Sequence, residues 1–299
     1  MKPNLIYTGC CLLMLCLMQA ACDDDEHDNC PHPKRQHVLT IRSYDGVGNE
    51  IIGTDAVSEV MLYVFDAQNR FLKSIPCKEN ETVGIDYPEQ QRITIAGWGN
   101  SRSSSQNMPQ PTAGALLGNL QMTLLHSTDG YLLSPDDLFF GFVNIDYSAA
   151  TRASTITHLL KLQRRVASME ILVKGISGRF DTSDIDFTLQ VSETAEGINF
   201  LGELSTTRNK YWPECRFNTL QELVAPVFRT LPSKGKAVTV TLYKGGTPVY
   251  ETSADNQGKP LILETGKLLS VFIDLGGNPE VNVSFIINPW NESNINQEF

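Results

Sequence analysis

The residues best suited to metal chemistry lie close together near the start of the chain. His27, Cys30, His32 and His37 all fall within the stretch HDNCPHPKRQH. Imidazole and thiolate groups are the usual zinc ligands, but these four do not follow the spacing of a closed zinc site. The prolines between them stiffen a segment that otherwise has the composition of a polar tether. We therefore expect no metal and no other cofactor.

No other combination of side chains matches a catalytic motif. The sequence has no G-x-S-x-G, no P-loop and no H-E-x-x-H, and beyond the tether it has only His126 and His158 for a histidine-based triad. Asp136 and Asp137 are adjacent, but neighbouring strand residues point to opposite faces and would not serve one site. Two distant carboxylates would suffice for a glycosidase, yet nothing in the sequence indicates one. We expect the protein not to be an enzyme.

The first residues are typical of an exported bacterial lipoprotein. Lys2 precedes the apolar stretch LIYTGCCLLMLCLM, which is too short for a comfortable membrane span. Ala20 and Ala21 then lead into Cys22, as in signals whose cleavage leaves a lipid-bearing cysteine at the new N-terminus. We expect residues 1–21 to be the signal peptide and Cys22 to carry the lipid. The alternative is an ordinary secretory signal with an incidental cysteine.

A run of carboxylates, CDDDEHD, begins at that cysteine. Like charges repel and keep a segment extended, so residues 22–36 are predicted to be a solvated tether. The run is similar to the acidic export signal of Bacteroidetes-type surface lipoproteins, which implies a place on the outer face of the outer membrane. A lipoprotein that faces the periplasm is the alternative. The formal net charge of −10 argues against nucleic acid as a partner.

The cysteines of the mature chain do not define a disulfide framework. Besides Cys22, the mature chain contains Cys30, Cys77 and Cys215. One bridge is compatible with an oxidising compartment, but an odd number leaves at least one thiol free. The sequence does not choose the pair.

From about residue 37 the chain alternates apolar and polar residues, as half-buried strands do. The segment HVLTIR, for example, places Leu39 and Ile41 on one face. LLGNLQMTLLH is compatible with a strand or a short helix, and NTLQELV, near residues 218–224, is compatible with a short helix that Pro226 limits. Many short strands separated by Gly and Pro turns predict an all-β fold of antiparallel β-sandwiches. We place an N-terminal sandwich domain at 37–150 and a C-terminal one at 158–299.

The order of segments resembles a known family. The chain carries, in order, Cys22 with its acidic run, CPHPKRQHVLTIR, VSEVMLYVFDAQNRFL, ITIAGWGN, DDLFFGF, HLLKLQRRVASMEILVKGI, LLSVFIDL and VSFIINPW. This order resembles the fimbrillin-like superfamily of type V fimbriae, and within it the lipid-anchored minor and anchor subunits of the FimB type. The resemblance covers nearly the whole mature chain. It implies two tandem transthyretin-like sandwiches and a non-enzymatic outer-membrane lipoprotein that anchors a fimbrial shaft.

The resemblance also implies partners. Shaft subunits would be joined by β-strand addition, and the outer membrane would be reached through the lipid on Cys22. In polymerising members a trypsin-like protease cuts after an arginine, and loss of the first strand opens a groove for a strand of another subunit. Arg42, at the end of HVLTIR, is the candidate processing position, and Leu39 and Ile41 would fill the groove in an uncut chain. A cut there would separate the body from its lipid, so we expect an anchor to keep this strand.

Two other functions stay open on the sequence. A fimbrial tip or accessory adhesin subunit is one, because the C-terminal NESNINQEF offers a donor strand only Ile295 and Phe299 on one face. A surface glycan-binding lipoprotein is the other, and it would use exposed aromatic rings. Trp98, Trp212 and Trp290 are the candidates, with KYWPECRF around Trp212 the best of them.

Overall fold

The computed structural model describes residues 36–52, 56–87, 89–147, 155–180, 186–276, 280–290, 292–293 and 295. Within these residues nearly all regular structure is β-strand, which confirms the all-β class. Helix is limited there to a 3₁₀ turn at Leu117–Asn119 and a single turn, α1, at Ile176–Arg179. None of the helices in these ranges is long and apolar enough to cross a membrane.

The first half of the chain supplies one large sheet and part of a small one. Its strands are β1 (Gln36–Tyr44), β2 (Val60–Phe65), β3 (Phe71–Cys77), β4 (Thr82–Ile85), β5 (Arg92–Gly99), β6 (Gln106–Asn107), β7 (Gln121–Leu124), β8 (Phe139–Asp146) and β9 (Thr155–Arg164). Seven of them form a sheet in the order β3-β2-β5-β8-β9-β1-β4, while β6 and β7 lie in a separate small sheet.

The seven-stranded sheet folds over on itself. β8 pairs with β9 only through Phe139 and Phe140, after which the two strands separate. Gly141 marks the crossing point, because a Cβ atom built there would lie 1.9 Å from the carbonyl oxygen of Lys161. Two layers result, β3-β2-β5-β8 and β9-β1-β4, with a shared apolar core between them. That core includes Leu39, Ile41, Leu62, Val64, Ile93, Ile95, Phe139, Leu160 and Leu162.

The second half forms a more regular sandwich. Its strands are β10 (Ala167–Lys174), β11 (Phe187–Ala195), β12 (Gly197–Asn199), β13 (Arg208–Tyr211), β14 (Arg216–Phe217), β15 (Leu223–Thr230), β16 (Thr239–Lys244), β17 (Thr247–Thr252), β18 (Lys267–Asp274) and β19 (Asn282–Pro289). A five-stranded sheet, β14-β15-β10-β18-β19, packs against a four-stranded sheet, β13-β11-β16-β17. Met169, Ile171 and Val173 of β10 point into the core between them, as period-two alternation requires.

The two halves interlock through a hairpin of the second half. β12 pairs with β7 and so completes the three-stranded sheet β12-β7-β6. Phe200, which follows β12, enters an aromatic cluster of the first half. Its ring centroid lies 4.9 Å from that of Tyr63 and 5.6 Å from that of Trp98. Trp98 and Phe200 are both almost fully buried, so the first half is complete only with a residue of the second.

The sheets are not purely antiparallel. β1 runs parallel to β9, and β10 runs parallel to β18. Side chains alternate between faces in both kinds of ladder, so the sequence pattern indicates a strand but not its direction. The antiparallel prediction is therefore wrong for these two pairs.

The sheet boundary differs from the domain boundary that the sequence suggested. β9 starts at Thr155 and completes the first sheet as far as Arg164, although residues from 158 onward were assigned to the C-terminal domain. The chain changes sheets at residues 165–166, between β9 and β10. The division into two independently folding domains, 37–150 and 158–299, stays a prediction.

The helix predicted near 218–224 is wrong. The side-chain oxygen of Asn218 accepts hydrogen bonds from the amides of Leu220 (3.0 Å) and Glu222 (2.9 Å), which makes a tight turn before β15. Pro226 then lies inside β15, where its register against β10 shifts. A residue without an N–H is tolerated at such an irregularity because the ladder bond is already interrupted there.

Replacing Gly141 by alanine should destabilise the fold by about 1–3 kcal/mol, because the added methyl group collides with the backbone of Lys161. Gly84→Ala is the matched control, since a Cβ atom at that exposed strand position meets no atom within 4 Å. Urea unfolding of both variants and the wild type gives the comparison. Equal stability of the two variants would show that β8 and β9 do not approach this closely.

Candidate assembly site around the first strand

β1 is the central strand of its layer. Over its whole length, Gln36–Tyr44, it pairs in parallel with β9. From His37 to Thr40 it also pairs antiparallel with β4 on its other side. Leu39 and Ile41 point into the core, and neither has any exposed surface. Loss of β1 would expose apolar side chains and leave β4 and β9 with unpaired backbone edges.

Arg42 lies near the exposed end of β1. Its guanidinium group donates a hydrogen bond of 2.5 Å to the side-chain oxygen of Asn80 and lies 3.7 Å from the carboxylate of Glu50. The next residue, Ser43, is fully buried, and its amide and hydroxyl both donate to the carboxylate of Glu79. Both residues are paired with β9. A protease binds an unpaired chain, so cleavage after Arg42 would require local opening of β1.

A pair of histidines holds the other end of β1. Nδ1 of His37 lies 3.0 Å from Nε2 of His158 on β9, and the two rings stack with centroids 5.2 Å apart. The ring of Tyr147 packs on His37 at 4.4 Å, and its hydroxyl donates to the carbonyl of Ile85 on β4. Burial, together with the neighbouring His37, lowers the pKa of His158. One ring must accept the hydrogen bond, so the pair requires a neutral imidazole.

A buried ion pair ties the end of the first sheet to the end of β19. Arg164, the last residue of β9, donates two hydrogen bonds of 2.7 and 2.8 Å to the carboxylate of Asp137. The ring of Trp290, just beyond β19, lies 4.4 Å from the guanidinium carbon. Only 8% of the Arg164 side chain is exposed, so the charge-assisted bonds are largely removed from water. Sequence reasoning missed this contact, because Asp137 and Trp290 are far apart along the chain.

The aromatic residues considered for glycan binding are used inside the protein. Trp98 is fully buried, and Trp290 packs on Arg164. Trp212 is half-buried, with its ring centroid 4.8 Å from that of Tyr131 and 5.1 Å from that of Tyr243. The contacts of Trp98 and Trp290 cover aromatic surface that a sugar would need, whereas Trp212 also lines an open surface pocket with Tyr131.

The C-terminal residues pack on the outer face of the second sandwich. Ser293 donates a hydrogen bond of 2.6 Å to the buried carboxylate of Glu170. Ile295 is only 6% exposed and contacts Leu172 and Val224. Ile295 therefore has a place within its own chain, and Phe299 lies outside the described residues.

The remaining candidate residues do not form a site. Cys77 and Cys215 are free thiols. Burial, with smaller contributions from Glu81 and Glu59, raises the pKa of Cys77 to about 12, and burial also raises the pKa of Cys215, so both thiols are poor nucleophiles. In the part of the chain that the structure describes, no three His, Cys, Asp or Glu side chains are grouped to hold a metal. Four candidates lie outside that part: Cys22, His27, Cys30 and His32.

The histidine pair should make stability depend on pH. Folding lowers the pKa of His158 from its usual 6.5, so below that pH the unfolded chain binds more protons than the folded one. Stability from this group is present above pH 6.5 and is lost as the pH falls toward the lower folded-state pKa. The urea midpoint of the wild type should therefore fall as the pH is lowered from about 8 to about 5.5. It should fall less in His158→Gln. His126→Gln, at an exposed histidine, is the control, and an unchanged decline in His158→Gln would contradict the prediction.

Known proteins are similar to this chain over almost its whole length. The family described as fimbrillin-A associated anchor proteins Mfa1 and Mfa2 matches residues 26–296. The major fimbrium anchoring subunit FimB of Porphyromonas gingivalis is 26% identical over 292 residues, which cover 93% of this chain and 92% of the relative. The solved structure of the fimbrial anchor protein Mfa2 from Porphyromonas gingivalis is 14% identical, with a TM-score of 0.63 over 86% of this chain and 98% of that one. The last comparison shows a shared fold.

Proposed function

We propose that this chain, which belongs to the family of fimbrillin-A associated anchor proteins Mfa1 and Mfa2, holds a fimbrial shaft at the bacterial surface. The observation that carries the proposal is the family match over residues 26–296, together with similarity to FimB over 93% of the chain. The chain is accordingly a fimbrium-associated anchor subunit. Its role is structural rather than enzymatic.

Attachment to the membrane is assigned to Cys22. The sequence supports this through the short apolar signal before Cys22 and the acidic tether, 22–36, after it. The lipid would be the hydrophobic anchor, and the acidic run would direct the protein to the outer face of the outer membrane. Among the described residues the first strand is β1, which starts at Gln36, the last residue of the predicted tether.

The shaft is joined through backbone pairing with strands of a shaft subunit. An all-β protein with exposed strand edges is suited to this mode, because the edge supplies hydrogen bonds and the alternate side chains supply specificity. β1 itself stays in place, because it connects the body to the tether and fills the groove with Leu39 and Ile41. Its pairing on two sides supports this assignment.

Cys22→Ala should move the protein from the membrane fraction to the soluble fraction and release shafts from the cells into the medium. The reason is that one modified residue supplies the whole hydrophobic attachment. Cys30→Ala is the matched control and should leave both distributions unchanged. The measurement is immunoblotting of the anchor and shaft in salt-washed membranes, the soluble fraction and the medium.

The two parts of this prediction fail separately. A Cys22→Ala protein that still sediments with salt-washed membranes would refute the lipid attachment. A soluble Cys22→Ala protein with shafts still held on the cells would refute the anchoring role.

The surface protein should keep residues 22–42, since removing β1 would uncover the buried Leu39 and Ile41 and cut the chain from its lipid. Digestion with a protease that cuts at acidic residues, followed by mass spectrometry, should recover a peptide that spans Arg42 and Ser43. Trypsin is unsuitable because it cuts after Arg42 itself. Arg42→Ala should give the same intact mass, apart from the substitution. A mature chain that begins at Ser43 would instead indicate a tip or accessory subunit.

A further inference from the structure

The gap between β8 and β9 leaves one side of β8 open. On the β9 side, the backbone amide of Arg165 donates a hydrogen bond of 2.7 Å to the carbonyl of Leu138. On the β5 side, the backbone amide of Tyr147 donates one of 2.9 Å to the carbonyl of Gln91. Each residue of a strand directs its N–H and C=O to the same side, and that side alternates from one residue to the next. The N–H and C=O of Phe142 and Asn144 therefore face away from β5. Among the described residues these backbone groups have no hydrogen-bond partner, since pairing with β9 ends at Phe140.

A groove of about 300 Å³, lined by both apolar and polar residues, lies along this open side. Phe140 and Gly141 line it together with Phe142, which is 58% exposed, and Leu201, which is 50% exposed. The second half of the chain presents Leu201 on a tight turn in which the Asn199 side chain accepts hydrogen bonds from the amides of Leu201 (3.0 Å) and Glu203 (2.8 Å). Two large apolar side chains thus flank a strand whose backbone groups at Phe142 and Asn144 have no partner among the described residues.

The rim of the groove is basic. Lys161 and Arg165 line it, and within the described chain neither forms an ion pair. Lys161 lies 5.2 Å from the ring of Tyr44, and Arg165 donates to the carbonyl of Gly202. Burial removes part of the hydration of the Arg165 guanidinium group and so lowers its pKa. In a chain of net charge −10, two cations without a carboxylate partner make this groove complementary to an acidic segment.

Three other strand edges among the described residues are protected. The amide and carbonyl of Phe71 on β3 are bonded to the loop at Ala115 and Gly114, and β3 also contains Pro76. β4 is only four residues long. On β19, Asn256 bonds both backbone groups of Val283. Short strands, prolines and capping side chains are the usual protection against unwanted pairing, and the described part of β8 has none of them.

We propose that the open edge of β8 accepts an extended segment of a fimbrial shaft subunit, which places an apolar side chain between Phe142 and Leu201 and a carboxylate at Lys161 and Arg165. The identity of the partner rests on the proposed anchoring function. The pairing is β-strand addition to a free edge and needs no cleavage of the anchor.

The test is a double variant, Phe142→Ser with Lys161→Glu, made in the full-length gene of the native bacterium. It removes the apolar contact and reverses the charge, while both side chains are exposed in the folded chain. Leu220→Ser with Lys236→Glu is the matched control, because both residues are exposed at a distant turn and loop. We expect the first variant to remain in the membrane and retain roughly tenfold fewer shafts on cells, and the control to retain them all.

A gene deletion distinguishes an error in the anchoring function from an error in the β8 site. If deletion leaves the shafts on the cells, the anchoring function itself is wrong. If deletion releases them and the Phe142→Ser, Lys161→Glu variant holds them like the wild type, only the β8 site is wrong.

Photocrosslinking tests the β8 site without the double variant, so its result does not depend on whether that variant folds. A benzoyl-phenylalanine at position 142 should form a covalent adduct with the shaft subunit on intact cells, and the same group at position 220 should not. An adduct at 142 supports the site even if the double variant proves unstable. Adducts at neither position, or with the C-terminal residues of the same chain or a second copy of it, would overturn the proposal.

Discussion

Pairing of β1 on both of its sides is the interaction on which the first half of the molecule depends. The strand joins β9 to β4 and places Leu39 and Ile41 in the core beneath β2 and β5. β1 therefore lies in the middle of a layer rather than at its edge.

The second half repeats this geometry without repeating the sequence. β10 lies between β15 and β18 and runs parallel to β18, as β1 runs parallel to β9. β9 and β10 are consecutive, so the chain passes directly from the end of one parallel pair into the next. Phe200 and the contact of Trp290 with Arg164 then fasten the two halves together.

The sequence by itself determined the class of fold and the buried face of β1. Period-two alternation is a local property, so HVLTIR was enough to predict a strand with Leu39 and Ile41 on one face. The absence of catalytic motifs and the order of short segments likewise required no coordinates. The lipid on Cys22 rests on sequence alone, because that residue lies outside the described part of the chain.

Tertiary structure decided which distant segments of the chain lie side by side. The contact of His37 with His158 joins residues 121 positions apart, and no local pattern marks them as partners. The parallel direction of β1 and β9, the assignment of β9 to the first sheet and the entry of Phe200 into the first half follow from how layers pack. The physical reason is that alternation records only which face of a strand is buried. It does not record which strand lies beside it, in which direction that strand runs, or where two paired strands separate.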